Sequence, residues 1–313
     1  MKPTILKKIK HLIVIEGPTA SGKTSLSIEL AKHFNTSILS ADSRQFYKEL
    51  NIGTAKPDLE EQDGIKHYFV DSHSVIDEVT SAKFEKDGLI VLNQIFKSND
   101  VAILVGGSGM FINALCYGLD DIPTDSNIKS QIISEHEKYG TLPLLNELKE
   151  KDIKYYQEVD RNNPMRIIRA IEVIRITGKK YSELRKSKTK AANNRTFKIH
   201  KYIINHNRTQ LYNRINLRVD KMIEKGLIKE VKSLIKYRKL NSLKTVGYKE
   251  IFNYLDGYNS LESTIIKIKQ NTRRYAKRQL TWFRKDKSAN WINFDTNKKM
   301  KEIILSDLAS KFQ

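Results

Sequence analysis

Three short apolar runs punctuate the first third of the chain. They are Leu12-Ile13-Val14-Ile15, Ser37-Ile38-Leu39-Ser40-Ala41 and Val101-Ala102-Ile103-Leu104-Val105. Each is too short for a helix and reads as a buried strand. Between the first two, Leu26, Leu30 and Ala31 fall on one face of a helix over Ser25 to Phe34. Before the third, Phe84, Val91, Leu92, Ile95 and Phe96 recur at helical spacing from about Thr80 to Phe96, with Thr80 or Ser81 as N-cap. Strands alternating with helices predict a parallel sheet covered by helices, whose ligands gather at the carboxyl ends of the strands. The unusual loops at 17–24, 42–45 and 106–109 all fall at such ends.

From about Asp120 the pattern changes. Asp120 to Asp125 reads as a linker, and 126–187 as helices broken by Gly140, Pro143, Pro164 and Gly178. Ser187 to Arg195 is polar and basic and reads as a mobile loop. Phe197 to Ile204 alternates like a strand able to rejoin the sheet. A helical pattern from Thr209 carries Leu211, Ile215, Val219, Met222 and Ile223 to Gly226, and a last long helix covers about Leu261 to Lys285. The expected organisation is an α/β core over 1–120 and 197–313, interrupted by an all-helical insertion over 121–196.

The loop after the first strand changes the picture from fold to chemistry. Gly17-Pro18-Thr19-Ala20-Ser21-Gly22-Lys23-Thr24 fits the phosphate-loop pattern G-x-x-x-x-G-K-[ST], between a strand and a helix as the pattern requires. The core is therefore P-loop NTPase-like. Gly17 and Gly22 let the backbone curl its N–H groups around an anion, and a helix starting near Ser21 adds its positive end. Lys23 contributes a charge, and Thr24 a hydroxyl for magnesium. Asp42, ending the second strand, can bind magnesium, act as a base, or simply open an Asx turn. The third strand ends in Val105-Gly106-Gly107-Ser108 with no acid, where many nucleotide hydrolases carry a magnesium-binding Asp. That omission weakens a hydrolase reading, and Ser108 still offers a hydroxyl.

Charge points to a partner. Lys and Arg total 56 against 36 Asp and Glu, a formal net charge of +20, which favours a polyanion, nucleic acid first. Basic residues cluster as Arg166/Arg169, Arg214/Arg218 and two stripes on the last helix, Arg273/Lys277/Arg284 and Arg274/Arg278/Lys285. Tyr275, Trp282 and Phe283 are interleaved there. They could stack on bases, though core packing accounts more simply for Trp282 and Phe283. The single cysteine, Cys116, excludes an internal disulfide and fits a reducing cytoplasm. The seven histidines show no zinc-like spacing. No run is long enough to span a membrane, and nothing demands an obligate interface, so the chain reads as a cytoplasmic monomer.

Taken together, these residues resemble the tRNA dimethylallyltransferase (tRNA isopentenyltransferase) family, bacterial type, over about Leu12 to Arg284. The matching segments are GPTASGKT (17–24), ADSRQFYKELNIGTAKP (41–57), VGGSGMFINAL (105–115), NNPMRIIRAIEV (162–173), LYNRINLRVDKMIEKGLIKEV (211–231), TVGYKE (245–250) and NTRRYAKRQLTWFRK (271–285). The resemblance implies that a dimethylallyl group moves from dimethylallyl diphosphate to N6 of the adenosine just 3′ of the anticodon, with magnesium assisting. Residues 17–24 would then hold the diphosphate leaving group, with no phosphoryl transfer. Asp42 would be the general base and Arg218 would neutralise the leaving group. Catalytic Ser108, standing where the family usually has Thr, would keep that hydroxyl's hydrogen bond to the diphosphate or its bridging oxygen. The target base would flip into a pocket lined by Asp42, Ser43, Arg44 and Gln45. The anticodon stem-loop would be held by Met165, Arg166, Ile167, Ile168 and Arg169, by Lys244 and Lys249, and by Arg274, Lys277 and Arg278. The rival readings are a phosphate-loop small-molecule kinase, an isopentenyltransferase acting on free adenine nucleotides, and an RNA-binding protein with a vestigial site. The first leaves the charge and the final basic helix unexplained. The second has no use for the insertion and the basic surface, and the third is opposed by intact Lys23, Thr24 and Asp42.

Overall fold

The computed structural model describes residues 8–120, 122–185 and 195–312. The strands β1 (Lys10–Glu16), β2 (Ile38–Ser40), β3 (His67–Tyr68), β4 (Val101–Gly106), β5 (Phe197–Asn205) and β6 (Asn290–Asn293) form one sheet in the order β3-β2-β4-β1-β5-β6. Every pairing is parallel, as the alternating pattern requires. β1 sits centrally, with Glu16 level with Gly106 of β4 and Ile203 of β5. The loops after β1 and β4 therefore start side by side. Ser40 lies level with Val105, which brings the loop after β2 to the same edge.

Both faces of the sheet are buried. Ile13, Ile15, Ile103, Val105 and Ile204 pack into one core with α1 (Lys23–Phe34) and the C-terminal helix. Their neighbours Leu12, Val14, Ala102, Leu104 and Ile203 are equally buried on the opposite face. β3 and β6 escape the sequence pattern because one has two residues and the other four, too few for a period to show.

The remaining helices of this unit are α2 (Leu59–Gln62), α3 (Ser81–Ser98, capped by Thr80) and α4 (Gly109–Tyr117). Beyond the insertion come α10 (Arg208–Glu224), α11 (Leu227–Ser233), α12 (Tyr248–Leu255), α13 (Leu261–Phe283) and α14 (Asn297–Ala309). The chain divides into two compact units, one of Met1–Cys116 with Arg195–Gln313 and one of Tyr117–Asn194. The second contains α5 (Ser126–Tyr139), α6 (Leu142–Lys151), α7 (Ile153–Glu158), α8 (Pro164–Thr177) and α9 (Tyr181–Leu184). Gly140 and Gly178 end helices here, but Pro143 and Pro164 lie in first turns, where proline's missing N–H costs nothing. The basic stretch expected to be a mobile loop lies, but for Arg195, outside the described residues. Among the described residues, no helix is long and apolar enough to cross a membrane.

Candidate active site

The phosphate loop is curled by two left-handed residues, Ala20 (φ 63°) and Gly22 (φ 87°), the latter capping α1. Gly17 serves a different need from the one its spacing predicts. It has no positive φ, but a Cβ there would lie 2.6 Å from Ser21 Oγ. Past Gly22, the first N–H groups of α1 have no partner within the helix and are free to bind an anion. The Lys23 ammonium donates to the Pro18 carbonyl at 3.1 Å, folding back over the loop. Burial lowers its pKa to about 8, with Asp42 pulling it up and Arg218 pushing it down. Burial likewise lowers the pKa of Arg218, with Arg214 adding to the effect and Asp42 opposing it.

These groups share a cavity of about 740 Å³. At one part of its wall stand residues 19–25 with Arg214 and Arg218, and elsewhere Asp42 and Gln45. Asn51, Ile52, residues 54–58 and Glu61 line it too, as do Leu217, Lys221 and Met222 of α10 and Lys225 at its end. α10 carries both arginines one turn apart. Arg214 Nε donates to the Ala20 carbonyl at 2.8 Å, with its guanidinium 4.8 Å from the Phe294 ring. Arg218 reaches Thr19 Oγ1 at 3.5 Å.

Asp42 makes the Asx turn and also faces the cavity. Its Oδ1 accepts the Arg44 N–H at 3.1 Å, an Asx turn, and its carboxylate lines the cavity within the field of Lys23 and Arg218. Ser108 stands beside the cavity and not on its wall. Its Oγ accepts the Ser43 N–H at 3.1 Å and lies 3.2 Å from Ser43 Oγ. Gln45 spends its amide N–H groups on the Thr54 and Ala55 carbonyls, at 3.3 and 3.2 Å.

α13 closes the site from above the strand ends. Gln279 Oε1 accepts the Thr19 N–H and its Nε2 donates to the Gly107 carbonyl, both at 2.9 Å. A Cβ on Gly107 would overlap Gln279, and one on Gly109 would overlap the indole of Trp282. Both glycines are therefore needed for close approach. Phe283 is core, but Trp282 remains 38% exposed, so core packing does not account for it fully. Tyr275 lies near Asp42 and Arg44, and burial followed by Asp42 raises its pKa. Arg273 turns inward to Asn216 at 2.6 Å, while Arg274, Lys277 and Arg278 are exposed. Sequence spacing gives no sign of Gln279's bridge or of His206, which donates to the Ser21 carbonyl at 2.9 Å while stacking on Phe294.

Some RNA-facing expectations need correction. Ile167 and Ile168 are buried at 0% and 2% in the core of the helical unit and have no surface to offer. Arg169 is committed within that unit. Its guanidinium donates to the Ile122 and Pro123 carbonyls at 3.0 Å each and to Glu172 at 2.9 Å. Met165, Arg166, Lys244 and Lys249 are exposed.

A magnesium ion fits the residues present. Among the described residues, no three His, Cys, Asp or Glu side chains gather to cage a metal. One hydroxyl, Thr24 on the cavity wall, together with ligand oxygens and water, is the kind of set magnesium accepts.

Comparison with known proteins gives one consistent answer. The IPP transferase family model matches residues 45–286. The tRNA dimethylallyltransferase of Cytophaga hutchinsonii is 48% identical over 91% of this chain and 93% of its own. The tRNA dimethylallyltransferase 1 of Bacteroides thetaiotaomicron is 46% identical over 90% and 91%. Among solved structures, the full-length tRNA isopentenylpyrophosphate transferase of Bacillus halodurans matches with a TM-score of 0.71 and 36% identity, covering 97% of each chain. A eukaryotic dimethylallyltransferase acting on tRNA matches with a TM-score of 0.78 and 26% identity, covering 96% of this chain and 80% of that one.

Proposed function

The chain belongs to the IPP transferase family, and from that premise we propose a mechanism for its residues. It transfers a dimethylallyl group to tRNA. The donor in this reading is dimethylallyl diphosphate, and the acceptor is N6 of the adenosine 3′ of the anticodon. The observation that carries it is a single cavity holding both a phosphate cradle and Asp42, with Lys23 and Arg218 in electrostatic contact with that carboxylate.

The adenine amine is a weak nucleophile because its lone pair is delocalised into the ring. It attacks C1 of the dimethylallyl group, the C1–O bond breaks, and diphosphate leaves with the bonding pair. Asp42 takes the proton from N6 as the new C–N bond forms. Lys23, Arg218 and the N–H groups at the start of α1 meet the charge that grows on the leaving diphosphate. Magnesium, held by Thr24 and diphosphate oxygens, would add further positive charge there. Ser43, Arg44, Ser108 and Tyr275 line the approach to Asp42 outside the cavity and suit the incoming nucleoside. Arg274, Lys277 and Arg278 offer exposed charge to the phosphate backbone. We place the reaction in the cytoplasm and take the working form to be a monomer, which sedimentation checks.

The test supplies radiolabelled dimethylallyl diphosphate with unmodified tRNA or with AMP. Label on tRNA at the adenosine 3′ of the anticodon is expected. Label on AMP alone, or transfer of the γ-phosphate from ATP, would sink the reading.

A further inference from the structure

Glu230 on α11 takes no part in the chemistry above, yet its carboxylate accepts four hydrogen bonds. Oε2 takes the Asn51 and Ile52 N–H groups at 3.2 and 2.7 Å. Oε1 takes the Gly53 N–H at 3.1 Å and the Tyr248 hydroxyl at 2.6 Å. Three successive N–H groups thus converge on one carboxylate as the backbone enters a 3₁₀ turn, Ile52–Thr54. Tyr248 is itself fully buried and its ring packs closely on the turn, since a Cβ on Gly53 would fall 2.5 Å from it. The IGTAKP segment meets the GLIKEV and TVGYKE segments, far along the chain from it, at this point.

The turn continues into Ala55, left-handed at φ 48°, and Lys56, whose ammonium donates to the Tyr47 carbonyl at 2.7 Å and to Asn51 Oδ1 at 2.8 Å. Gln45 holds the Thr54 and Ala55 carbonyls from the other side. A segment fastened this thoroughly has one evident surface to present. Ile52, Ala55 and Pro57 line the cavity with Leu217 and Met222, interspersed with the polar Thr54, Lys56, Asp58 and Lys221. The phosphates belong with Lys23 and Arg218, so these five apolar side chains are left for the hydrocarbon end of the donor.

We propose that Glu230 is a positioning residue for the prenyl group. Through the 51–57 wall it fixes the surface on which the five-carbon chain packs, and so sets donor affinity and discrimination against longer chains. Charge-assisted bonds to backbone N–H groups are the strong kind, and an uncharged side chain cannot replace them. The inference rests on the prenyl-transfer reading given above.

The test is Glu230→Gln, which keeps the shape, removes the charge and turns an NH₂ towards N–H donors. Calorimetry with dimethylallyl diphosphate and with inorganic diphosphate separates the wall from the phosphate cradle. The dissociation constant for the prenyl ester should rise about tenfold and that for diphosphate less than about twofold. The KM for tRNA should stay unchanged, and transfer from geranyl diphosphate should gain relative to dimethylallyl diphosphate. If Glu230→Gln does not fold, Tyr248→Phe removes a single hydroxyl and should move the same constants in the same direction by about threefold. Equal weakening of both ligands, or of neither, overturns the proposal. A wild-type chain that binds inorganic diphosphate but gains nothing from the prenyl group overturns the donor reading itself.

Discussion

Gln279 accepts the Thr19 N–H at 2.9 Å, so the phosphate loop near the N-terminus is fastened to the last long helix of the core. The other end of the same amide donates to Gly107, which makes it a brace between the loops after β1 and β4. The bond also withdraws one loop N–H from the anion and leaves binding to the groups beyond it. Replacing Gln279 with Leu should leave the Thr19 N–H and Gly107 carbonyl unpaired at a buried place, at a cost of about 2 kcal/mol. Diphosphate affinity should fall about tenfold with it. Thermal melts and calorimetry check both numbers, and unchanged affinity in a destabilised variant would reduce Gln279 to a purely structural tie.

Lys23 costs the fold something. Its folded pKa of about 8 lies below the ordinary 10.5, so burying the charge penalises folding fully below pH 8 and ever less between 8 and 10.5. Lys23→Met should therefore melt at a higher temperature than the wild type at pH 7 and should bind no diphosphate. A lower melting temperature would show that Asp42 and the Pro18 carbonyl outweigh the cost of burying the charge, against the lowered pKa.

The same pKa predicts how donor binding depends on pH. Lys23 is cationic below about 8 and neutral above it, so its attraction for diphosphate weakens as pH rises through that value. Lys23→Arg keeps its charge throughout and serves to cancel titration of the ligand. The ratio of wild-type to variant affinity should be flat to pH 7.5 and about tenfold lower by pH 9. A ratio independent of pH would remove Lys23 as the titrating group.

The reasons why parts of the molecule were legible from sequence are physical. A parallel strand buried on both faces must be wholly apolar, so β1 and β4 announce themselves, and the phosphate loop is a backbone shape with few sequence solutions. Asp42 could be placed because it ends a strand. By contrast, Gln279, His206 and Glu230 act by side-chain bonds to backbone groups far away in sequence, and no local period carries that information. Burial on one helix face also misled at Ile167 and Ile168. They lie between Arg166 and Arg169 in a basic segment, and only the packed helices show that they face inward.

Arg169 carries internal bonds that its place in a basic segment does not announce. It ties the 122–123 segment to Glu172, which is buried and also accepts from Thr124 Oγ1 at 2.7 Å and the Asp125 N–H at 3.1 Å. Arg169→Ala should destabilise the helical unit by about 2 kcal/mol, because a buried carboxylate loses its counter-charge. Circular dichroism melts check this. A variant as stable as wild type but weaker on tRNA would instead return Arg169 to the RNA surface.

Catalysis and binding should separate cleanly between Asp42 and the outer face of α13. Asp42 touches the reacting amine in the mechanism above but bears no long-range charge burden, so Asp42→Ala should abolish prenyl transfer and leave tRNA affinity within about twofold. Arg274 and Arg278 are exposed on α13, and each neutralises at most one phosphate. Changing both to Gln should lower the slope of log affinity against log salt by about one to two, while prenyl transfer at saturating tRNA persists. Filter binding across a salt series gives the slope, and single-turnover transfer gives the rate. An unchanged slope would take α13 out of the tRNA interface. Loss of tRNA binding in Asp42→Ala would mean that the carboxylate organises the base pocket and does not serve as the base.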